Sequence, residues 1–209
     1  MKFLGKWLPL FNFNGSADYW RKRYRLGGDS GPGSGGQSAS YKAMVLNQFV
    51  ADHGIESVIE FGCGDGRQLE LARYPSYIGL DISPEAVALC REKFSGDEAK
   101  QFLPADAFES QGADLSLSLD VFFHLVEDRV YRDYMKRLFS ASSRYVAIYS
   151  TTEESPIRTL PHVRHRPLVE DIERWLPDFV RLHDYEAILP PPDPEWSNGA
   201  RFIFYARKP

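Results

Sequence analysis

The sequence predicts a doubly wound α/β fold on one seven-stranded sheet, mostly parallel, with an antiparallel C-terminal strand pair. Three observations lead there. Short apolar runs alternate with amphipathic stretches from Ser57 to Ser150, the rhythm of strand–helix units in a parallel sheet. One of these runs, Val58 to Phe61, passes straight into glycines at alternate positions, Gly62, Gly64 and Gly66, so a buried strand ends in bare backbone. The last two predicted strands follow one another with no helix between them, which an antiparallel pair satisfies most simply.

Taken in order, Ala17–Leu26 predicts a short helix carrying Tyr19, Trp20 and Tyr24 among four basic residues. Gly27–Gly36 reads GGDSGPGSGG, too rich in glycine for regular structure, and is expected to be a flexible loop. No Lys-Ser/Thr pair closes it, so it is not a P-loop. Ser38 or Ser40 can cap a helix to about His53, with Tyr41, Met44, Val45, Phe49 and Val50 as its apolar side, and Gly54 ends it. Ser57–Phe61 is the first strand and Asp65–Arg73 a helix starting on the glycine turn. Tyr77–Leu80 is the second strand, stopping at Asp81. Ser83-Pro84-Glu85 is a capped helix start with proline just inside, and that helix continues to about Phe94. Gln101–Leu103 is a short strand ahead of Asp106, Asp114–Leu119 is a strand ending at Asp120, Asp128–Phe139 is a helix, and Arg144–Ser150 is the fifth strand. In the tail, Val169–Leu176 is helical, Phe179–Ile188 and Ala200–Arg207 are strands, and the prolines from Pro190 to Pro194 make a stiff turn.

With 209 residues, the chain suits a single domain, residues 1–53 forming a helical cap and glycine-rich lid loop (27–36) on an α/β core of residues 54–209. A net charge of -4 argues against a general nucleic-acid binder. Cys63 and Cys90 fall on different elements and define neither a disulfide framework nor a zinc site, which makes a reducing compartment the default. The opening MKFLGKWLPLF is interrupted by Lys6 and Pro9 and lacks a small-residue cleavage site, so it is not read as a signal peptide. No stretch reaches the roughly 20 apolar residues of a membrane span. A cytoplasmic protein is the expectation, and the sequence sets no oligomeric state.

The glycines are spaced G-x-G-x-G rather than the G-x-G-x-x-G of dinucleotide sites. Successive strand ends carry Glu60, Asp81, Asp106 and Asp120, and Asp65 lies inside the turn. Any one of these acids could be a helix cap. Together round one crevice they disfavour a pyrophosphate and suit a cationic nucleoside such as S-adenosylmethionine. Asp81, about 20 residues past the first glycine, stands where a carboxylate accepts from ribose hydroxyls. Ile82 can pack on adenine, Asp106 can reach its exocyclic nitrogen, and Ala107 offers a backbone N–H.

With these residues in place, the chain from about Ser57 to Ser150 resembles class I S-adenosylmethionine-dependent methyltransferases. EFGCGDG (Glu60, Phe61, Gly62, Cys63, Gly64, Asp65, Gly66) is similar to their cofactor motif. YIGLDIS resembles their ribose-binding strand, PADAF their adenine-contacting turn, and DLSLSLDVFFHL, with Leu119 and Asp120, their fourth-strand motif. The closing antiparallel pair also fits their Rossmann-like fold. The opening YWRKRYRLGGDSGPGSGG is similar to small stand-alone members among bacterial glycan-building enzymes. The resemblance implies S-adenosyl-L-methionine as cofactor and a methyl transferase activity, and it leaves the acceptor open.

For the acceptor, the expectation is a small polar molecule, most simply a hydroxyl of a sugar or glycan precursor. The alternatives are N-methylation of a small metabolite and a catalytically inactive cofactor-binding subunit. His124, four residues past Asp120, is the candidate general base, with Asp120 itself as the second candidate. His162, His165 and Arg166 in PHVRHRP would meet an anionic group on the substrate, or else form a solvated loop. Trp20 and Tyr24 would close over the cofactor with Gly27–Gly36 as hinge. No tight ligand spacing supports a metal.

Overall fold

The structure, a computed structural model, describes residues 13–109, 112–155, 160–197 and 199–209. The first twelve residues, including the apolar opening and the start of the expected cap, lie outside the described residues. Five strands run parallel: β1 (Val58–Phe61), β2 (Tyr77–Asp81), β3 (Lys100–Pro104), β4 (Ala113–Leu119) and β5 (Ser142–Ser150). Their order is β3-β2-β1-β4-β5, and beyond β5 lie two antiparallel strands, first β7 (Arg201–Arg207), then β6 (Phe179–Arg181). The fold is thus a seven-stranded Rossmann-like sheet with an antiparallel end. The chain winds outward from β1 in both directions, so the carboxyl ends of β1 and β4 face a crevice where ligands bind in open α/β sheets.

Both faces of the sheet are buried, and the period of two in β1 shows it. Val58 joins a core with Leu46, Phe49 and Val50 of α2 (Gly36–Asp52) and with Val87 and Cys90 of α3 (Pro84–Lys93). Ile59 and Phe61 point the other way, to Tyr131, Met135, Leu138 and Phe139 of α4 (Asp128–Ser140) and Leu168 and Ile172 of α5 (Leu168–Trp175). A short helix, α1 (Ser16–Arg25), lies over the crevice end; α6 (His183–Ala187) and α7 (Pro194–Ser197) belong to the tail. Ser83 Oγ accepts from Ala86 N at 3.4 Å with Pro84 at the first helical position, which is the capped start read from the sequence.

Four local readings are corrected. The stretch expected as a helix from Asp65 to Arg73 forms turns and one short 3₁₀ segment, Leu69–Leu71, because Gly66 has φ +73, a left-handed conformation no right-handed helix contains. The strand expected over Phe179–Ile188 stops at Arg181; Glu186 folds back in α6 to hold the Arg181 guanidinium at 2.7 Å and accept Phe204 N at 2.9 Å. Met44, expected on the apolar side of α2, is 51% exposed, and Lys42 and Leu46 hold the buried face instead. The loop Gly27–Gly36 is not free: Pro32–Ser34 makes a 3₁₀ turn, Gly36 already begins α2, and the segment is bonded to the glycine turn as described below.

Phe49 is fully buried, stacked on Phe204 at 4.5 Å and met edge-on by Tyr145 and Tyr185. Phe49→Ala should cost about 3–5 kcal/mol, since a ring-sized cavity would open between α2 and the antiparallel end of the sheet. Chemical denaturation would show it as a lower midpoint with an unchanged slope.

Candidate active site

At the crevice the chain encloses a cavity of about 310 Å³. Its floor is the end of β1 and the turn: Glu60, Phe61, Gly62, Cys63 and Gly64 all line it. Gly62 and Gly64 have φ of +89 and +59. A side chain at Gly62 would run into Val121, and one at Gly64 into Ser30 and the Tyr24 hydroxyl, so the floor must stay bare. Asp81, Ile82, Leu119 and Asp120 line the cavity from the neighbouring strand ends, and Trp20 and Tyr24 cover it from α1. His124 reaches it from the short turn after β4.

Asp81 fastens the floor. Its carboxylate accepts from Gly64 N at 2.9 Å and from Ser83 N at 2.8 Å, tying the glycine turn to the start of α3. Burial raises its pKa to about 6, against the pull of those N–H groups. Glu60, beneath the floor, is driven further, to about 7, by burial; the Tyr77 hydroxyl, 2.6 Å away, and the Lys42 charge oppose the rise. Near neutral pH Glu60 therefore exchanges between its acid and its carboxylate.

Asp65 and Gly66 do not line the cavity. Asp65 serves as a latch: its carboxylate accepts from Ser30 N at 3.1 Å while its own N–H donates to Ser30 Oγ at 3.0 Å. Burial would lift the Asp65 carboxyl, but the bonds from Ser30 and Arg67 outweigh it and hold the group below its ordinary range. Tyr24 shares Ser30 Oγ at 2.7 Å, and Arg67 donates to Gly31 O at 3.1 Å. At the other end of α1, Ser16 donates to Glu127 through both N (2.8 Å) and Oγ (2.6 Å). Asp106 and Ala107 are exposed and off the cavity wall; Ala105 lines it in their place, held by a hydrogen bond from Arg137 to its carbonyl.

His124 Nδ1 lies 3.0 Å from the His162 carbonyl, a bond only an N–H can make, which leaves Nε2 as the lone-pair nitrogen. Burial lowers its pKa to about 4, with the His162 bond opposing and nearby positive charge adding, so the ring is neutral through the physiological range. Trp20 meets it edge-on at 4.9 Å. The expected substrate residues are placed differently. His162 is stacked between Tyr19, at 4.1 Å, and His124, at 5.5 Å. His165 bonds Thr151 at 2.7 Å. Arg166 is spent on Asp128 (2.7 Å), the Val126 carbonyl and the Tyr131 ring face, and Arg164 joins it on Asp128. None of the three lines the cavity, because Asp128 at the start of α4 draws the arginines away. Among the described residues no cluster of three His, Cys, Asp or Glu is placed to hold a metal ion. The Cys63 thiol is held well above its usual pKa by its bond with Cys90 and by burial, the opposite of an activated nucleophile.

Two cavity residues escaped the sequence reading. Lys42 of α2 is fully buried, and its Nζ lies 2.5 Å from Asp120 Oδ2. Asp120 has φ +59, the one positive φ outside glycine among the described residues. Gln68, 9% exposed, gives its amide nitrogen to Ala39 O at 3.0 Å and leaves Oε1 buried without a hydrogen-bond partner. A signal existed for Lys42, since positions 42, 46 and 49 share one helical face and the other two are Leu and Phe.

Residues 59–146 match a family described as a methyltransferase domain. A comparison with curated protein sequences gives no significant match. Among solved structures, the N-methyltransferase NodS from Bradyrhizobium japonicum WM9, in complex with S-adenosyl-L-homocysteine, aligns with a TM-score of 0.62 at 13% identity, over 94% of this chain and 100% of that one. Magnesium protoporphyrin IX methyltransferase (ChlM) from Synechocystis PCC 6803 gives 0.61 at 16% identity, over 92% and 98%. At such identities the structures speak to the fold. The bare floor, the buried Asp81 at the second strand end and the orphaned Gln68 acceptor fit a nucleoside that carries positive charge. The α/β fold and the site agree with the match of residues 59–146 to a methyltransferase domain. A domain of that kind implies S-adenosylmethionine as the cofactor. Among the described residues no helix is long and apolar enough to cross a membrane.

The raised pKa of Glu60 has a definite sign for stability. The folded state binds a proton that the unfolded state releases between about 4.5 and 7, so this contribution is complete below that window and lost as pH rises through it. His124, depressed to about 4, works the other way over 6.5 to 4. Glu60→Gln removes the first contribution alone. The melting temperature of the wild type minus that of the variant should therefore rise as pH falls from 8 to 5; a flat difference would show Glu60 ionised throughout.

Proposed function

We propose that the protein methylates a hydroxyl of a small polar acceptor, most simply a sugar or glycan precursor, with His124 receiving the proton. The observation that carries this reading is His124: a neutral imidazole in the cavity wall, its tautomer fixed by the His162 carbonyl, with a lone pair on Nε2. Asp120, the other candidate base, is already engaged by the Lys42 ammonium. Trp20, edge-on to His124, offers the flat aromatic surface on which the C–H face of a sugar ring packs.

When bound, S-adenosylmethionine supplies a methyl group on a sulfonium, ready for in-line displacement. The chain's own residues do the rest. Asp81 would accept from the ribose hydroxyls beside the bare Gly62–Gly64 backbone, and Ile82 would give the base an apolar wall. Trp20 and Tyr24 exclude water, and the strand ends fix the acceptor in line, which is where most of the rate in such a reaction arises. His124 Nε2 takes the acceptor's proton as the new bond to carbon forms.

Incubation with isotopically labelled cofactor and a metabolite extract, followed by mass spectrometry of the labelled product, tests the acceptor; label on an amine nitrogen would overturn the hydroxyl reading. His124→Ala should lower kcat by about 10²-fold or more while leaving cofactor affinity nearly unchanged. In the wild type at saturating cofactor, kcat should show no acid limb from His124 until the pH approaches about 4; an unchanged kcat in the variant removes His124 from the mechanism.

A further inference from the structure

We infer that Tyr19 and His162 are positioning residues for the general base. The helix that covers the cavity sets His124 in its reactive orientation from behind, through Tyr19 on the His162 ring and the His162 carbonyl on His124. This role rests on the reading of His124 as base and adds to it what holds that base in place.

His124 has little in its own segment to hold its ring. It closes a 3₁₀ turn, Phe122–His124, whose own bonds run from His124 N to Val121 O and from Leu125 N to Phe122 O. Neither reaches the imidazole, and the last torsion of a histidine is broad when nothing grips the ring. The grip comes from 38 positions along the chain, where the His162 carbonyl takes the Nδ1 proton at 3.0 Å. That carbonyl is placed by its own neighbours. Arg164 N donates to Phe123 O at 2.8 Å, and the Arg164 and Arg166 guanidinium groups donate to Val126 O. The stretch that the sequence offered as an anion site thus runs as a splint along residues 123–126.

The His162 ring is clamped by stacking. Its Nδ1 is buried without a hydrogen-bond partner, so that nitrogen directs nothing and the ring works through its faces. Tyr19 of α1 lies on it at 4.1 Å with 9° between the planes, a close parallel contact. His124 lies at 5.5 Å and 15°, too offset to be held by stacking alone, and there the carbonyl bond makes the link. The covering helix reaches the same turn twice more: Trp20 meets His124 edge-on at 4.9 Å, and Ser16 Oγ accepts from Val126 N at 3.0 Å. Trp20 and Tyr24 line the cavity, as a cover should. Tyr19 and His162 do not, although Tyr19 is only 6% exposed. Their contact is spent behind the base, where the one thing it can govern is how His124 is held.

Nitrogen-15 NMR of the histidine rings near neutral pH, where His124 is uncharged, reads its tautomer directly. His124→Ala assigns its signals among the five histidines. The wild type should carry the proton on Nδ1 alone. Tyr19→Ala should turn this into a mixture of both tautomers. It should also slow methyl incorporation from labelled S-adenosylmethionine into a metabolite extract on the order of 10-fold at saturating cofactor, with the KM for cofactor changed by less than about twofold. Tyr19→Phe keeps the ring and should restore both readouts. His162→Ala should match Tyr19→Ala, and the double variant should lose no more than either single one, since both act through one contact. An Nδ1 proton intact in Tyr19→Ala, or losses that add in full, would overturn the positioning role and leave His124 as base untouched. A tautomer released in Tyr19→Ala with no loss of rate would instead overturn the base reading, and the positioning role with it. Should Tyr19→Ala fail to fold by circular dichroism, Tyr19→Leu, which fills the space without a planar face, carries the same test.

Discussion

The hydrogen bond from Gly64 N to Asp81 is the constraint on which the site depends. It joins the end of β1 to the end of β2 by 2.9 Å, and the same carboxylate reaches on to Ser83 N at the head of α3. Gly64 can make that bond only because its φ of +59 turns its N–H inward, and that conformation is cheap for glycine alone. Once the turn is bonded this way, its outer surface is a flat strip of backbone over which Ser30 and Tyr24 close to van der Waals contact. The floor, the buried place of Asp81 and the cover are therefore three consequences of one turn. Asp81 meets a conflicting demand: burial raises its pKa to about 6, yet a ribose is best held by a carboxylate. The two backbone N–H groups settle the conflict by keeping the group largely ionised near neutral pH.

Charge in the cavity is arranged in layers. Glu60 lies lowest, under Lys42 and beside the Tyr77 hydroxyl, and its pKa near 7 lets it act as a buffer of local charge rather than a fixed anion. Lys42 and Asp120 lie above it as a compensated pair. Asp65, outside the cavity, turns its charge to the covering loop. Of five acids at or near the strand ends, three, Glu60, Asp81 and Asp120, face the cavity, and one of these is paired with Lys42. The crevice is thus less acidic than a count of carboxylates suggests, and its selectivity for a cationic nucleoside rests on placement rather than on excess charge.

The parallel strands with their antiparallel end, the G-x-G-x-G turn and the places of Asp81 and His124 at the crevice were legible in the sequence because each rests on local chemistry: period-two burial, glycine's backbone freedom, a short hop from a strand end. What was not legible depends on partners far along the chain. Lys42 drew no reading from the sequence because its partner, Asp120, is 78 positions away. The arginines and histidines of Pro161–Pro167 looked free because nothing in their own segment shows that Asp128, Val126 and Thr151 claim them. Gly27–Gly36 looked flexible on composition; in the fold its glycines permit a close approach, and Ser30 and Asp29 fasten it. Asp106 had the right spacing, but the 3₁₀ turn Ala105–Ala107 directs it outward.

The covering segment then raises a question of access. It is attached by polar bonds at its two ends, Ser16 to Glu127 and Ser30 to Asp65, with Arg23 and Arg67 on Asp29 between. Bonds of this kind contribute about 0.5–1.5 kcal/mol each and re-form with water when broken, unlike apolar burial, which resists opening in proportion to area. Tyr19 and Tyr24 are the buried apolar anchors, and each also rests on a polar neighbour, His162 and Ser30. The sheet beneath is held by its own strand-to-strand bonds, none of which runs through this cover. The two sets of bonds meet at Gly64: below it its N–H runs to Asp81 at the end of β2, and above it Ser30 and Tyr24 pack so close that no side chain fits. One residue without a Cβ therefore joins the strand ends to their cover.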